Sequence, residues 1–315
     1  MKSVFCIGEL LIDFIAKTEK NNLGKAKDFS RNPGGAPANV ACAISKLGGL
    51  SKFIGSVGKD SFGSYLLEVL KDNNVDVSLA QRSDAFTTLA FVSLDEKGER
   101  DFVFSRGADE KLKYDSCIKK EFNNNIVHFG AATALLGGNL EDAYNRYFFD
   151  ALTQNTFISF DPNFRSDLWN NQTDVFIKKC LPFIQKSHLC KFSLEEAQLL
   201  SGETNPIDCS GVLHEIGAQV IAITLGKKGT LVSTNKKQKT IPSIEVKTVD
   251  TTGAGDAFIG CLLYQIASLT STSGIMEDFS LLNKMVIKAN KAGAYSTTGY
   301  GAISSLPNYN AVFNS

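Results

Sequence analysis

The segment that carries the most chemical information lies late in the chain, where residues 250–258 read DTTGAGDAF. It follows a strand-like stretch, 244–249, and precedes an apolar stretch, 257–268, that predicts a helix. Glycines at 253 and 255 let successive backbone N–H groups converge on an anion at the start of that helix. Asp256 beside them is placed to take a proton from a hydroxyl while the N–H groups stabilise a transferred phosphoryl group. This combination favours a kinase.

Three other interpretations of this segment compete with a kinase. A Walker P-loop requires Lys and then Ser or Thr after its second glycine, where this sequence has Asp256 and Ala257. A Rossmann fingerprint requires a third glycine where Phe258 stands, and it follows an early strand. Both motifs are therefore excluded. The third interpretation, a plain glycine-rich turn in which Asp256 caps a helix, stays open.

A second polar segment lies near the N-terminus, where residues 32–41 read NPGGAPANVA and lead into a predicted helix over 40–47. Paired glycines let a polyol approach the backbone, and Asn39 both donates and accepts hydrogen bonds, as a sugar diol requires. Asp13, expected at the end of the first strand, is a natural acceptor for two neighbouring hydroxyls. Helix capping by Asn39 and a simple turn at Asp13 are the structural alternatives.

Together these segments, GGAPAN early and DTTGAGD late, resemble the two signatures of the ribokinase-like (PfkB) family of sugar kinases. The resemblance extends over the whole chain through residues 8–13, 161–165 and 224–226. It implies one kinase domain over 1–315, with a three-layer α/β/α core, a doubly wound and mostly parallel sheet, and a small β-sheet lid. It also implies ATP as the donor, Mg²⁺, and a homodimer joined through the lids.

The resemblance further implies roles for individual residues. The catalytic set is the base Asp256 with the anion-hole residues Gly253, Ala254 and Gly255. The sugar set is Asp13, Gly34, Gly35, Asn39, Phe104, Arg106 and Arg165. The cofactor set is Lys191, Glu196, Thr224, Gly226, Gly229, Gly253 and Gly255; in it Glu196 orders the Mg–phosphate waters, although Ser193 stands where the family often has Asn. A monovalent cation, K⁺, would be held around Asp250, Thr252, Ser296, Gly299, Gly301 and Ser305.

The substrate is predicted from three segments, 8–14, 33–41 and 161–169, which are most similar to fructokinases of bacteria and plants. Fructose, converted to fructose 6-phosphate, is therefore the first expectation. Kinases of 2-keto-3-deoxygluconate and of aminoimidazole riboside carry similar segments, and in the former, arginines at the positions of Arg106 and Arg165 hold a carboxylate. Phe91, Phe102 and Phe104 either cover the apolar face of the sugar or form sheet core.

The elements that must position these residues alternate between strand-like runs and helical stretches, which predicts βαβ units and a parallel sheet covered on both faces. In chain order they are 4–8, 40–47, 53–56, 65–71, 126–129, 157–161 and 220–224. Two stretches, 11–31 and 87–107, break this rhythm and predict the strands of a lid over the carboxyl ends of the sheet, the second stretch with a hairpin turn at 95–98. A thin sheet leaves apolar surface exposed, which favours pairing with a second copy.

Composition excludes several other classes of protein. The chain has 33 basic and 33 acidic residues and no dense basic stripe, which argues against a nucleic-acid partner. Its densest basic run, 236–239, is typical of a solvated hairpin turn. Seven scattered cysteines without a C-x-x-C pair and three histidines without ligand spacing argue against disulfides and zinc. The absence of a long apolar run predicts a cytoplasmic protein that does not enter a membrane.

Two non-kinase functions are also weighed. An oxidoreductase of the nicotinamide type requires an early G-x-G-x-x-G, which the sequence lacks. A sensor that binds a sugar or nucleotide without chemistry would be expected to have lost the base or the glycines beside it. Asp256 and both glycines are present, so the kinase is favoured.

Overall fold

The computed structural model describes residues 1–17, 23–94 and 100–314. The strands are β1 Ser3–Ile7, β2 Leu11–Ala16, β3 Phe29–Gly34, β4 Leu50–Ile54, β5 Ser56–Gly58, β6 Gln81–Ser83, β7 Leu89–Leu94, β8 Arg100–Ser105, β9 Ile126–Gly130, β10 Phe157–Asp161, β11 Leu189–Ser193, β12 Val220–Thr224, β13 Thr230–Thr234 and β14 Gln238–Ile241. The helices are α1 Ala36–Lys46, α2 Ser61–Asp72, α3 Gly138–Leu152, α4 Ser166–Trp169, α5 Thr173–Lys186, α6 Leu194–Ser201, α7 Pro206–Ile216, α8 Ala254–Ala267, α9 Gly274–Glu277 and α10 Phe279–Ser296.

The central sheet has the strand order β14-β13-β12-β11-β10-β9-β1-β4 in the described residues. Its strands from β4 to β12 pair in parallel, and β13 and β14 are added as an antiparallel edge. From β1 the chain builds outward first to β4 and then, on the other side, through β9 to β12. This reversal of direction confirms the predicted doubly wound sheet and leaves a crevice at the carboxyl ends of the strands.

Apolar layers cover both faces of the sheet and confirm the three-layer architecture. On one face α1, α8 and α10 bury side chains such as Ile44, Leu262 and Val286 against the sheet. On the other face α3 and α5 contribute Tyr144 and Phe183, both at most 1% exposed. The helices are thereby fixed against the sheet, and so are the helix ends that face the crevice.

A separate four-stranded sheet of order β3-β2-β7-β8 forms the predicted lid. The register pairs Asp13 with Ala90 and Ala90 with Phe104, so these three residues share one face. Phe91 points to the opposite face, where its ring stacks on Phe14 with centroids 5.2 Å apart. Phe91 is therefore sheet core rather than a cover for the sugar. The hairpin turn predicted at 95–98 lies outside the described residues.

Several predicted boundaries were wrong. Residues 244–249 form no strand, because Pro242 follows β14 and has no N–H to continue the pairing. Helix α1 begins at Ala36 instead of residue 40, since Pro37 is tolerated in a first helical turn. Asp13 lies within β2 of the lid instead of ending the first strand. The basic run at 236–239 does mark the turn between β13 and β14, as predicted.

Three observations on the described residues concern the features that composition singled out. No helix there is long and apolar enough to cross a membrane. The seven cysteines are free, and His128, His188 and His214 make hydrogen bonds inside the fold. No group of three His, Cys, Asp or Glu side chains in the described ranges is arranged to hold a metal ion.

Candidate active site

Asp256 lies in the first turn of α8, at the crevice of the sheet. Gly253 precedes the helix with a φ of +77°, and a Cβ at this position would lie 2.6 Å from that of Ala302. Glycine is therefore required by conformation and by space. Helix geometry leaves the N–H of Gly255 without an acceptor inside the helix, whereas that of Ala254 makes a long bond of 3.3 Å to Thr251 O. These N–H groups lie where the sequence predicts an anion hole.

The Asp256 carboxylate is buried, with an exposure of 8%. Its Oδ2 accepts a hydrogen bond of 2.9 Å from Nδ2 of Asn39 on α1, which joins the two sequence signatures directly. Burial raises the pKa of Asp256, while the Asn39 hydrogen bond and the charges of Lys191 and Arg165 oppose that rise. A carboxylate with a raised pKa, held in one orientation, is suited to accept a proton from a hydroxyl.

Asp13 and the glycine pair form one unit on the lid side of the crevice. The register places Leu11 opposite Gly34, and a Cβ on Gly34 would lie 2.1 Å from Asp13 Oδ2. Gly35, with φ of +110°, approaches Glu9 so closely that a Cβ would lie 2.4 Å from its carbonyl oxygen. Burial raises the pKa of the partly exposed Asp13 to about 7, and Arg165 opposes the rise.

Lys191 brings a buried positive charge to the glycine turn of α8. Its Nζ lies 3.0 Å from Asp161 Oδ2, and a Cβ on Gly255 would lie 3.0 Å from the same Nζ. Burial tends to lower the pKa of Lys191, but Asp161 and Glu196 raise it above its ordinary value. A charged ammonium group therefore stands beside the N–H groups at the start of α8.

Glu196 is held by backbone on both sides. Its Oε2 accepts the N–H of Ser193 at 2.7 Å, and the Ser193 hydroxyl in turn accepts the N–H of Glu196, which makes a capping box for α6. Its Oε1 accepts the N–H of Phe164 at 2.8 Å. Ser193, which departs from the family pattern, is thus used as a helix cap. A role of Glu196 in ordering water stays a prediction.

Phe104 and Arg106 line a cavity of about 430 Å³ between β8, α4 and α5. The cavity lies along the lid face shared by Asp13 and Phe104, but Asp13 is not among its lining residues. Arg106 Nε lies 3.3 Å from Asp109 Oδ2, and Arg106 Nη2 is buried without a hydrogen-bond partner in the described part of the chain. Arg165 is exposed and bonds its neighbour's carbonyl oxygen. Arg165 is not among the residues that line this cavity.

A larger cavity, of about 770 Å³, is bounded by the glycine turn of α8 and by α10. It is lined by Thr224, Gly226, Gly229 and Gly255, as the sequence predicts for a nucleotide site, and not by Lys191, Glu196 or Gly253. Sequence reasoning missed most of the wall: Ser243, Ile244, Val246, Thr251, Phe258, Asn290, Gly293, Ala294 and Thr297. The irregular loop after β14 was mistaken for a strand, and the small residues of α10 were the signal that could have indicated this wall.

The loops predicted to hold a monovalent cation are brought together by Asp250. Its Oδ1 accepts the N–H and hydroxyl of Thr252 at 2.9 and 2.7 Å, and its Oδ2 accepts the N–H of Gly301 at 3.0 Å. Ser305 packs on Gly299, where a Cβ would lie 2.6 Å from the Ser305 hydroxyl oxygen. The Ser296 hydroxyl donates to Gly293 O. Ion binding here stays a prediction.

Comparison with known proteins identifies the family. The sequence model for the pfkB family of carbohydrate kinases matches residues 1–309. The chain belongs to the pfkB family of carbohydrate kinases. This pfkB kinase is 37% identical to the probable fructokinase-5 of Arabidopsis thaliana over 96% of its own length and 94% of the relative. It is therefore a phosphotransferase that acts on a sugar hydroxyl.

Solved structures agree with this assignment. A fructokinase with bound ATP from Xylella fastidiosa superposes with a TM-score of 0.86 at 28% identity, over 99% of this chain and 97% of that one. A fructokinase double mutant from Vibrio cholerae O395, in a form that binds fructose, ADP and potassium ion, gives 0.82 at 29% identity over 100% and 98%. The predicted ribokinase-like fold of the pfkB kinase is thereby confirmed.

Proposed function

We propose that this pfkB kinase transfers the γ-phosphoryl group of ATP to the primary hydroxyl of fructose and forms fructose 6-phosphate and ADP. The observation that carries the proposal is the buried Asp256 carboxylate, held by Asn39 at 2.9 Å beside the glycine turn of α8. Fructose is favoured because the curated relatives and two of the most similar structures are named fructokinases.

In the reaction, fructose lies against Asp13, Gly34, Gly35 and Asn39, with its reacting hydroxyl at Asp256. The hydroxyl oxygen attacks the γ-phosphorus, its proton passes to Asp256, and the bond to the ADP oxygen breaks. The ammonium of Lys191 and the first N–H groups of α8 stabilise the charge that develops on the transferred group. Water is excluded by the lid face that carries Phe104.

The nucleotide occupies the 770 Å³ cavity, with its phosphates toward Gly255. One residue of the cavity wall must be glycine for the fold itself: a Cβ on Gly229 would lie 2.0 Å from the Ile241 carbonyl oxygen, so only a bare backbone fits against the end of β14. Glu196, whose charge raises the pKa of Lys191 beside Gly255, would help to hold Mg²⁺ through water molecules. Mg²⁺ neutralises phosphate charge when bound.

A second acceptor, 2-keto-3-deoxygluconate, is favoured by one observation. Arg106 Nη2 is a buried donor without a partner in the described residues, on a cavity next to the lid face of Asp13. A substrate carboxylate would satisfy it. A coupled ADP-release assay with fructose, 2-keto-3-deoxygluconate, aminoimidazole riboside, ribose and glucose decides between them. Fructose with the highest kcat/KM supports the proposal, a keto-acid preference replaces the substrate, and no turnover of any sugar overturns it.

A homodimer through the lid is part of the same proposal. Val103 of β8 is 52% exposed and Phe86, directly before the lid, is 56% exposed. Apolar side chains on a thin sheet favour association with a second copy. Light scattering on Val103→Lys and the unmodified chain tests this: a dimer that becomes a monomer supports the lid interface, and an unchanged mass rejects it. A cytoplasmic location stays a prediction.

A further inference from the structure

Glu9 is a buried carboxylate in the turn between β1 and β2, with an exposure of 1%. Its Oε1 accepts the N–H of Ala36, the first residue of α1, at 3.0 Å. The residue before that helix, Gly35, has no side chain with which to cap it. A carboxylate 27 residues earlier in the chain therefore supplies the cap, and its negative charge is favourable at a helix N-terminus.

The first turn of α1 connects this cap to the base. The carbonyl oxygen of Gly35 accepts the N–H of Asn39 at 2.9 Å, and Asn39 Nδ2 donates to Asp256 at 2.9 Å. Gly35 also packs against the backbone of Glu9, since a Cβ there would lie 2.4 Å from the Glu9 oxygen. A shift of the Glu9 carboxylate would therefore move the glycine turn and Asn39 together.

The surroundings of Glu9 make its charge costly. Its Oε2 is buried without a hydrogen-bond partner in the described residues. Burial raises the pKa of Glu9 to about 7, and Asp109 adds to the rise, while the backbone N–H of Glu9 itself, the N–H of Ala36 and the charge of Arg165 oppose it. Glu9 in turn raises the pKa of the buried Tyr144 phenol. At pH 8 Glu9 is therefore ionised in the folded protein, and this buried charge lowers the free energy of unfolding relative to a neutral side chain at the same place.

We propose that Glu9 is a positioning residue, whose ionised carboxylate holds the first turn of α1 so that the glycine turn receives the sugar and Asn39 orients Asp256. The proposal rests on the proposed function. The proposal explains why a carboxylate that destabilises the folded state is buried at this place: it orders the first turn of α1 and does not stabilise the core.

Glu9→Gln tests the proposal, because the amide keeps the size and removes the charge. We expect kcat/KM for fructose at pH 8 to fall about tenfold, the scale of a lost charge-assisted helix cap, with KM for ATP within about twofold of the unmodified enzyme. The acid limb of log(kcat/KM) near pH 7 should become less steep by one proton. The melting temperature at pH 8 should not fall, since the buried charge is gone.

The matched control is Asp278→Asn, which alters the cap of α10, where Asp278 Oδ1 accepts the N–H groups of Ser280 and Leu281. It should leave kcat/KM and its pH profile unchanged. Hydrogen exchange of the peptide 34–46 supplies a readout that needs no turnover, and Glu9→Gln should speed it at pH 8. Unchanged kinetics and unchanged exchange in Glu9→Gln overturn the proposal. If the unmodified enzyme phosphorylates no sugar, the proposed function fails, whereas hydrogen exchange still tests whether Glu9 holds the first turn of α1.

Discussion

Lys191 and Asp161 form a buried ion pair on neighbouring strands, with Nζ 3.0 Å from Oδ2 and side-chain exposures of 6% and 0%. Burial raises the pKa of Asp161 to about 7, and Lys191 opposes that rise. Such a pair is seldom the most stable filling for a core. Its place beside Gly255 instead gives the turn of α8 a fixed positive charge.

Lys191→Met should lower kcat by at least tenfold, because the transferred phosphoryl group loses a buried cation. The unpaired Asp161 then has a still higher pKa, so the folded protein holds its proton more tightly than the unfolded chain does. Destabilisation is therefore larger at pH 8, where the buried carboxylate must ionise, than at pH 6. Melting curves at both pH values measure this. An equal loss at pH 6 and pH 8 would contradict the pairing.

Asp256→Asn should lower kcat on the order of a hundredfold or more, as loss of a general base does, and leave ATP binding intact. Asparagine keeps the shape and can still bond Asn39, so the fold is retained. Stopped-flow or coupled kinetics give kcat, and calorimetry gives the affinity for ATP. A kcat near that of the unmodified enzyme would remove Asp256 from the role of base.

Gly34→Ala should raise KM for the sugar more than tenfold and leave KM for ATP unchanged. The added Cβ would lie 2.1 Å from Asp13 Oδ2, so the carboxylate must move away from the sugar. Gly211→Ala is the matched control: this glycine lies inside α7, and a Cβ there meets no atom within 4 Å. The control should stabilise the helix by about 0.5–1 kcal/mol without a change in KM.

We expect kcat/KM to fall at acidic pH because of Asp13. Its pKa of about 7 is raised above the ordinary value, so below pH 7 the carboxyl group is protonated and accepts hydrogen bonds from sugar hydroxyls poorly. The same raised pKa means that the ionised form destabilises the fold, and this cost appears as the pH rises from about 4 to 7. Asp13→Asn should therefore lower kcat/KM and increase the melting temperature at pH 8 more than at pH 5. A lower melting temperature at pH 8 would contradict this.

Potassium should activate the enzyme if the loops joined by Asp250 hold a monovalent cation. Activity in KCl is compared with activity in choline chloride at equal ionic strength, which keeps screening constant. Asp250→Asn should abolish the difference, because its carboxylate bonds Thr252 and Gly301 and aligns both loops. Equal activity in the two salts would contradict the prediction that a monovalent cation binds at these loops.

The sequence predicted the layers and the lid because both depend on local patterns. Runs such as 126–129 and 157–161 are mostly apolar, as strands covered on both faces must be, and their polar residues are His128, Ser159 and Asp161. The wall of the 770 Å³ cavity was not predicted, since residues such as Asn290 and Gly293 belong to no motif and the small residues of α10 are a weak signal on their own. They become a wall only when α10 packs beside α8.

The candidate site was also predicted only in part. Asp256 and Asn39 were found by residue type, yet the hydrogen bond between them joins positions 217 residues apart and could not be predicted from spacing. Glu9 was missed because a single acidic residue after a strand has no pattern. Phe104 and Arg106 were assigned to the sugar with Asp13, but the structure places them on an adjoining cavity. Only tertiary packing decides such neighbours.

The position of Asp13 on the lid has a consequence for how the enzyme treats its donor. Asp13 belongs to β2 of the lid and Asp256 to α8 of the core. In the proposed reaction the sugar contacts both residues, so the acceptor joins the lid and the core in addition to their own packing. An acceptor held in this way would place its hydroxyl at the proposed base ahead of water, which would limit hydrolysis of ATP.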